Sequence, residues 1–83
     1  MNKLLVHLYV PAIMRDFDIF IPRDVPIGKL IPVLVEGIVQ LSYGKYGASH
    51  RECLTPGGAG APLQPDRALM DYGIQDGEML LLI

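Results

Sequence analysis

The chain has very few of the residues that build covalent or metal-bound sites, with one cysteine, two histidines and no tryptophan in 83 residues. Cys53 has no second cysteine with which to form an internal disulfide, and no cysteine pair accompanies His7 or His50 at the spacing of a metal site. We therefore expect a protein of a reducing compartment, with no metal or other cofactor.

Charge is also scarce, since charged residues make up 19% of the chain, the net charge is −2, and the seven Lys and Arg residues are scattered. Nucleic acid is not an expected partner, because its phosphates require a basic patch. The longest apolar stretch, residues 27–41, is interrupted by Lys29, Pro32 and Glu36 and is shorter than the ~20 residues that cross a bilayer. The sequence therefore predicts no transmembrane span.

Apolar residues are abundant, at 51% of the chain, and they follow two different periods. Every second residue is apolar in residues 3–10, starting at Leu4, and in residues 16–21, starting at Phe17, which predicts the two strands of a β-hairpin. Over residues 26–41 the apolar positions recur every three or four residues, which predicts one helix. We expect Asp24 to cap this helix, and Pro32 inside it predicts a late start or an irregular first turn.

The second half of the chain contains shorter segments. Residues 51–55 predict a short strand with Cys53 facing inward and Leu54 outward, and a very short strand is predicted around Leu63. The Gly- and Pro-rich residues 56–62 predict a flexible turn between them.

The chain closes on the apolar run MLLLI, residues 79–83. An apolar terminus is unusual unless it packs against something, so this run predicts a buried last strand. The resulting order of strands around a single helix is an α+β pattern, and the length fits a single domain over residues 1–83.

Residues 69–82, LMDYGIQDGEMLLL, resemble the segment that leads into the last strand of ubiquitin-like proteins. Each apolar, acidic, aromatic and glycine position of this segment has an expected role. Leu69 and Ile74 would close one end of the core, Asp71 would cap a small turn, the Tyr72 hydroxyl would tie down the preceding loop, and Gly73 and Gly77 would adopt positive φ.

The resemblance implies a ubiquitin-like β-grasp fold, with a mixed sheet of four to five strands packed on one helix. The last strand would then run parallel to the first in the middle of the sheet, with Leu80 and Leu82 facing the helix. The opposite sheet face is the one that ubiquitin-like domains commonly use for binding. The expected partner-binding residues on that face are Leu5, His7, Leu54, Leu81 and Ile83.

The whole chain is most similar to the YukD/EsaB family of small ubiquitin-like proteins associated with type VII (WXG100) secretion. The residues that carry this similarity are VPIGKLIPVLVEGI at 25–38 and LMDYGIQDGEMLLLI at 69–83. It implies a non-enzymatic interaction module that docks on a membrane or ATPase subunit of the secretion machinery, in the cytoplasm or at the inner face of the membrane. A homodimer is a further alternative. The proline at position 32 and the expanded loop 55–65 depart from the family pattern.

Three other functions stay open. A similar domain is fused to a multi-span membrane component in actinobacterial systems, so the chain could be an excised domain. A conjugated modifier or sulfur carrier would need a flexible Gly-Gly tail beyond Ile83, and the sequence as it stands disfavours it. An enzyme would need Cys53 beside a histidine that lowers its pKa.

Several side chains have two interpretations. Asp16 and Asp18 fit solvated positions of an edge strand better than metal ligands. Tyr43 and Tyr46 fit either binding aromatics or loop packing. The three valines of the helix fit either a second protein contact or a broad core interface; they are Val33, Val35 and Val39.

Overall fold

A four-stranded mixed sheet packed on one helix forms the fold of this computed structural model, which describes residues 2–58 and 61–83. The strands and the helix are β1 Lys3–Val10, β2 Arg15–Pro22, α1 Ile27–Leu41, β3 Leu54–Pro56 and β4 Met79–Leu82. Short 3-10 helices cover Pro11–Ile13 and Leu69–Tyr72.

The last strand lies inside the sheet, whose strand order is β2-β1-β4-β3. β1 pairs antiparallel with β2 and parallel with β4, and β4 pairs antiparallel with β3. A parallel pair cannot be joined by a tight turn, and here the connection between β1 and β4 includes α1. The predicted α+β class and the central position of the last strand are confirmed.

Alternation along the strands separates a buried sheet face from an outer one. In β1 every second residue from Leu4 to Val10 is at most 3% exposed, and Leu80 and Leu82 of β4 are buried beside them. These side chains meet the buried face of α1, where Ile27, Leu30, Leu34, Val35 and Ile38 lie. Full burial of one such aliphatic side chain stabilises a fold by about 1.5–3 kcal/mol, so this layer is the main source of stability.

The helix begins at Ile27, and its first N–H groups bond to the loop that precedes the second 3-10 helix. Ile27 donates to the Arg67 carbonyl at 2.8 Å, and Gly28 donates to the Pro65 carbonyl at 2.9 Å. The prediction that Asp24 caps the helix is wrong, because no side chain caps this end and the Asp24 carboxylate accepts a hydrogen bond from the Asn2 side chain instead. Backbone carbonyls of a distant loop perform the capping.

Pro32 lies in the helix interior, as the sixth residue of α1. The predicted late start is wrong, because regular helix covers the five residues before this proline. The alternative prediction, an irregular first turn, is met at the Pro26 carbonyl, which accepts the N–H groups of both Lys29 at 2.9 Å and Leu30 at 3.1 Å. A proline at this depth has no N–H to donate to the carbonyl of Gly28, four residues earlier. The helix tolerates this loss because its buried face is held against the sheet.

At the start of β3, the inward and outward orientations of Cys53 and Leu54 are the reverse of the prediction. Leu54 is 0% exposed and Cys53 is exposed. The register explains the difference, since Leu54 pairs with the inward-facing Leu82, and Cys53 exchanges two backbone hydrogen bonds with Ile83 on the outer side. The strand is only three residues long, too short for its own sequence to reveal which face is buried.

The predicted strand around Leu63 does not form. Leu63 is buried and makes one backbone hydrogen bond, donating its N–H to the Leu54 carbonyl at 2.8 Å, so the segment lies along β3 without a ladder. The flexible turn predicted at residues 56–62 includes residues 59 and 60, which lie outside the described part of the chain.

The roles expected for residues 69–77 are confirmed. The Asp71 carboxylate accepts the Ala68 N–H at 2.9 Å, and the Tyr72 hydroxyl accepts the Gln64 N–H at 2.8 Å. Leu69 is fully buried, and Ile74 packs against the core. Gly73 and Gly77 have φ of 68° and 87°, a region that glycine enters without steric cost.

Candidate docking surfaces

The outer sheet face carries exposed apolar side chains on β2, on β4 and directly after β4. Phe20 on β2 is 68% exposed, Met79 on β4 is 45% exposed, and Ile83 is 60% exposed. Leu5 of β1 and Leu81 of β4 are half-buried on the same face. A strand pair aligns Phe20 with Leu5, so the apolar surface is continuous across the strands there.

Four of the five predicted partner-binding residues lie on this face, namely Leu5, His7, Leu81 and Ile83. Leu54 does not, because it is part of the helix-facing core, and its assignment to the outer face is corrected. Met79 also lies on this outer face, although it is absent from the predicted partner-binding residues. The period-two alternation through Leu81 and Ile83 could have identified it.

The centre of the outer face is polar, where His7 lies between two carboxylates. Its Nε2 is 2.7 Å from Asp16 Oδ2, and its Nδ1 is 2.7 Å from Asp18 Oδ1. The hydrogen bond to Asp18, followed by that to Asp16, raises the pKa of His7 above its ordinary value, although burial acts in the opposite direction. Both aspartates are thus engaged by His7, and no cluster suited to a metal ion occurs in residues 2–58 and 61–83.

A second surface is a groove of about 570 Å³ on the far side of the sheet, between α1 and residues 48–52. Its apolar wall comes from Ile31, Val35 and Val39 of the helix, and Pro32 and Pro65 also line it. Of the valines that fit either a second protein contact or a core interface, Val33 is exposed but lies outside the groove, and Val35 packs into the core.

The loop that borders the groove is held by a buried tyrosine. The Tyr46 hydroxyl donates to Glu52 Oε2 at 2.9 Å, and its backbone N–H donates to the buried Ser42 hydroxyl at 3.1 Å. Burial and then the hydrogen bond to Glu52 raise the pKa of Tyr46 to about 12. Tyr46 is therefore a loop-packing residue, whereas Tyr43 is exposed to solvent.

Glu52 keeps its negative charge at the edge of the groove. Partial burial alone would raise its pKa, but hydrogen bonds from the Ser49 and Glu52 backbone N–H groups and from Tyr46 outweigh burial and lower the pKa. The Ser49 N–H lies 2.7 Å from Oε2. The carboxylate is thus both charged and fixed in position.

Cys53 is exposed, and the structure brings no histidine to it. The Cys53 thiol donates to the Arg51 carbonyl with Sγ at 3.8 Å from the oxygen, and this is the hydrogen bond of its side chain among the described residues. Within those same residues, no helix is both long enough and apolar enough to span a lipid bilayer.

The strand order, the single crossover helix and the 3-10 turn before β4 define a ubiquitin-like β-grasp domain. The ubiquitin-like domain of the Mycobacterium tuberculosis type VII secretion system protein EccD1 has a similar fold, with a TM-score of 0.81 and 24% identity, over 100% of this chain and 99% of that one.

Two larger assemblies contain a similar domain. A chain of the MycP5-free ESX-5 inner membrane complex matches with a TM-score of 0.74 and 18% identity, over 100% of this chain and 21% of that chain. A chain of the ESX-3 core complex matches with a TM-score of 0.73 and 27% identity, over 98% of this chain and 16% of that chain. The protein thus corresponds to a small part of the length of those two chains.

Residues 5–82 match the family described as WXG100 protein secretion system (Wss), protein YukD. Because this match spans nearly the whole chain, the chain belongs to the YukD family. The resemblance seen in the sequence is confirmed, and no curated protein matches this chain.

Proposed function

We propose that this ubiquitin-like domain is a non-enzymatic docking module of a type VII secretion system, binding a protein subunit of the secretion machinery through its outer sheet face. The observation that carries the proposal is the exposure of Phe20, Met79 and Ile83 beside Leu5 and Leu81. Burying exposed aromatic and aliphatic side chains is what drives most protein association.

Family membership and the two ESX complexes support a partner from the secretion apparatus. A membrane or ATPase subunit fits this role, and binding would recruit the domain to the inner face of the cell membrane. The charged centre around His7 would orient the partner, because polar groups in an interface contribute specificity and the apolar ends contribute most of the affinity.

The test is a pull-down from cells that carry the intact secretion locus, using the wild-type protein and the double variant Phe20→Ser, Ile83→Ser. We expect wild type to recover a secretion subunit, and the double variant to lose it and to reduce effector export. Val33→Ser is the matched control, since Val33 has the same 68% exposure as Phe20 but lies on the helix. Equal recovery by all three proteins would show that the outer face is not the docking surface.

The length of the ESX-3 and ESX-5 chains favours one alternative, that these residues form a ubiquitin-like domain of a longer membrane component. The length of the native reading frame shows whether the domain is free-standing or part of a longer membrane component. It also tests the modifier or sulfur-carrier alternative, which requires a Gly-Gly terminus. An enzyme based on Cys53 would show fast iodoacetamide labelling of the folded protein, well beyond that of a simple exposed thiol.

A further inference from the structure

The groove beside α1 presents apolar side chains that the domain itself does not cover. Ile31 and Val39 are half-buried and Val35 forms the floor, so the wall is continuous with the core. The two prolines that line the groove, Pro32 and Pro65, contribute no backbone N–H. This part of the groove therefore favours contact with apolar side chains.

Charge at the groove is of one sign. Glu36 of the helix and Glu52 of the loop are the charged residues among those that line it, and His50 is the other titratable one. Glu52 is held by the hydrogen bonds from Tyr46 and Ser49, so its position does not depend on a partner. An apolar wall with a preset carboxylate is complementary to an apolar segment that carries a cation.

The lining residues on the helix extend from Gly28 to Val39, which corresponds to about 16 Å of helix. An extended segment of about five residues spans that distance. The groove is separated from the outer face by the sheet, so a segment bound here would not compete with a partner on Phe20 and Ile83.

We propose that this groove is a second docking site, which binds a short apolar segment of a protein partner through a Lys or Arg side chain paired with Glu52 and Glu36. The site does not depend on the function assigned to the outer face. A domain with both surfaces occupied would bridge two protein segments from opposite sides of its sheet.

The test uses two synthetic peptides of the same length, one alternating Leu with Lys and one alternating Leu with Glu, titrated into the ¹⁵N-labelled protein. We expect the Lys peptide to shift the amide signals of Ile31, Val35, Val39 and Glu52, with an affinity that falls as salt is raised. The Glu peptide should bind much more weakly.

Replacing a groove glutamate with glutamine removes its charge but keeps its shape, which tests the role of the charge in binding. Glu36→Gln and Glu52→Gln should each weaken binding of the Lys peptide about two- to fivefold, the range expected for solvent-accessible ion pairs. Because Glu36 is exposed on the helix, Glu36→Gln still tests the charge pairing if Glu52→Gln disturbs the loop. Glu78→Gln is the matched control, because it makes the same charge change at an exposed glutamate outside the groove lining, and it should bind like the wild type.

Three results would overturn the proposal. One is equal binding of the Lys and Glu peptides, and another is signal shifts confined to the outer face around Asp16 and Asp18. The third is no shift in the groove at millimolar Lys peptide. Each of these leaves the pull-down through Phe20 and Ile83 unaffected, so the two proposals fail independently.

Discussion

At the scale of single residues, the protonation state of His7 depends on two neighbouring carboxylates. A neutral imidazole has one N–H, whereas both ring nitrogens here face carboxylates at 2.7 Å. The arrangement therefore favours the doubly protonated ring. Because the pKa of His7 is raised on folding, its stabilising contribution is fully present below the unfolded value of 6.5 and is lost as the pH rises through the folded pKa.

Asp18→Asn should lower the pKa of His7, because the hydrogen bond to Asp18 is the largest cause of its elevation. The measurement is an NMR titration of the His7 ring protons. Asp16→Asn is the comparison and should lower the pKa by less. A His7 titration that is identical in the wild type and in Asp18→Asn would show that the pair does not hold the proton in solution.

At the scale of elements, α1 combines a well-capped start with an unfavourable interior residue. Loop carbonyls of Arg67 and Pro65 accept its first two N–H groups, while Pro32 removes a hydrogen bond further along. Proline in a helix interior is about 3 kcal/mol less favourable than alanine. The helix persists because burial of its apolar face outweighs this cost.

Pro32→Ala should raise the free energy of unfolding by about 1–3 kcal/mol, because it restores a backbone donor to the helix. The gain is smaller than the full cost of the proline, because alanine also makes the unfolded chain more flexible. Urea denaturation followed by circular dichroism measures the change. Val33→Ala, at the exposed neighbouring position, should change the stability by less than about 0.5 kcal/mol. Loss of stability in Pro32→Ala would mean that the proline ring contributes packing that the fold requires.

At the scale of the whole molecule, β4 joins the two halves of the sheet. It pairs with β1 on one side and with β3 on the other, and its inward side chains Leu80 and Leu82 meet the helix. A chain of this length has a total stability of about 4–12 kcal/mol, so a defect in the central strand affects a large fraction of it.

Leu80→Ala should lower the free energy of unfolding by about 2–5 kcal/mol, because it leaves a cavity at a fully buried position. Met79→Ala is the matched control on the adjacent residue, and it should cost less than about 1 kcal/mol because Met79 faces outward. Chemical denaturation of both variants tests this difference. Equal losses would contradict the placement of β4 in the middle of the sheet.

The sequence by itself determined the elements with long periodic patterns. Eight alternating residues in β1 and the stripe along α1 leave one arrangement that buries the apolar side chains. The resemblance of residues 69–83 to ubiquitin-like proteins implied the central last strand, and the same motif predicted the local roles of its glycines, Asp71 and Tyr72. These features identified the fold and the family.

Only the tertiary structure decided the features that depend on residues distant in the chain. Leu54 faces the core because Leu82 sets the register of a three-residue strand. The helix is capped by carbonyls about forty residues away, and the groove exists because the loop at Tyr46 and Glu52 folds back along α1. Local periodicity carries no information about such contacts, since their geometry is set by which elements pack together.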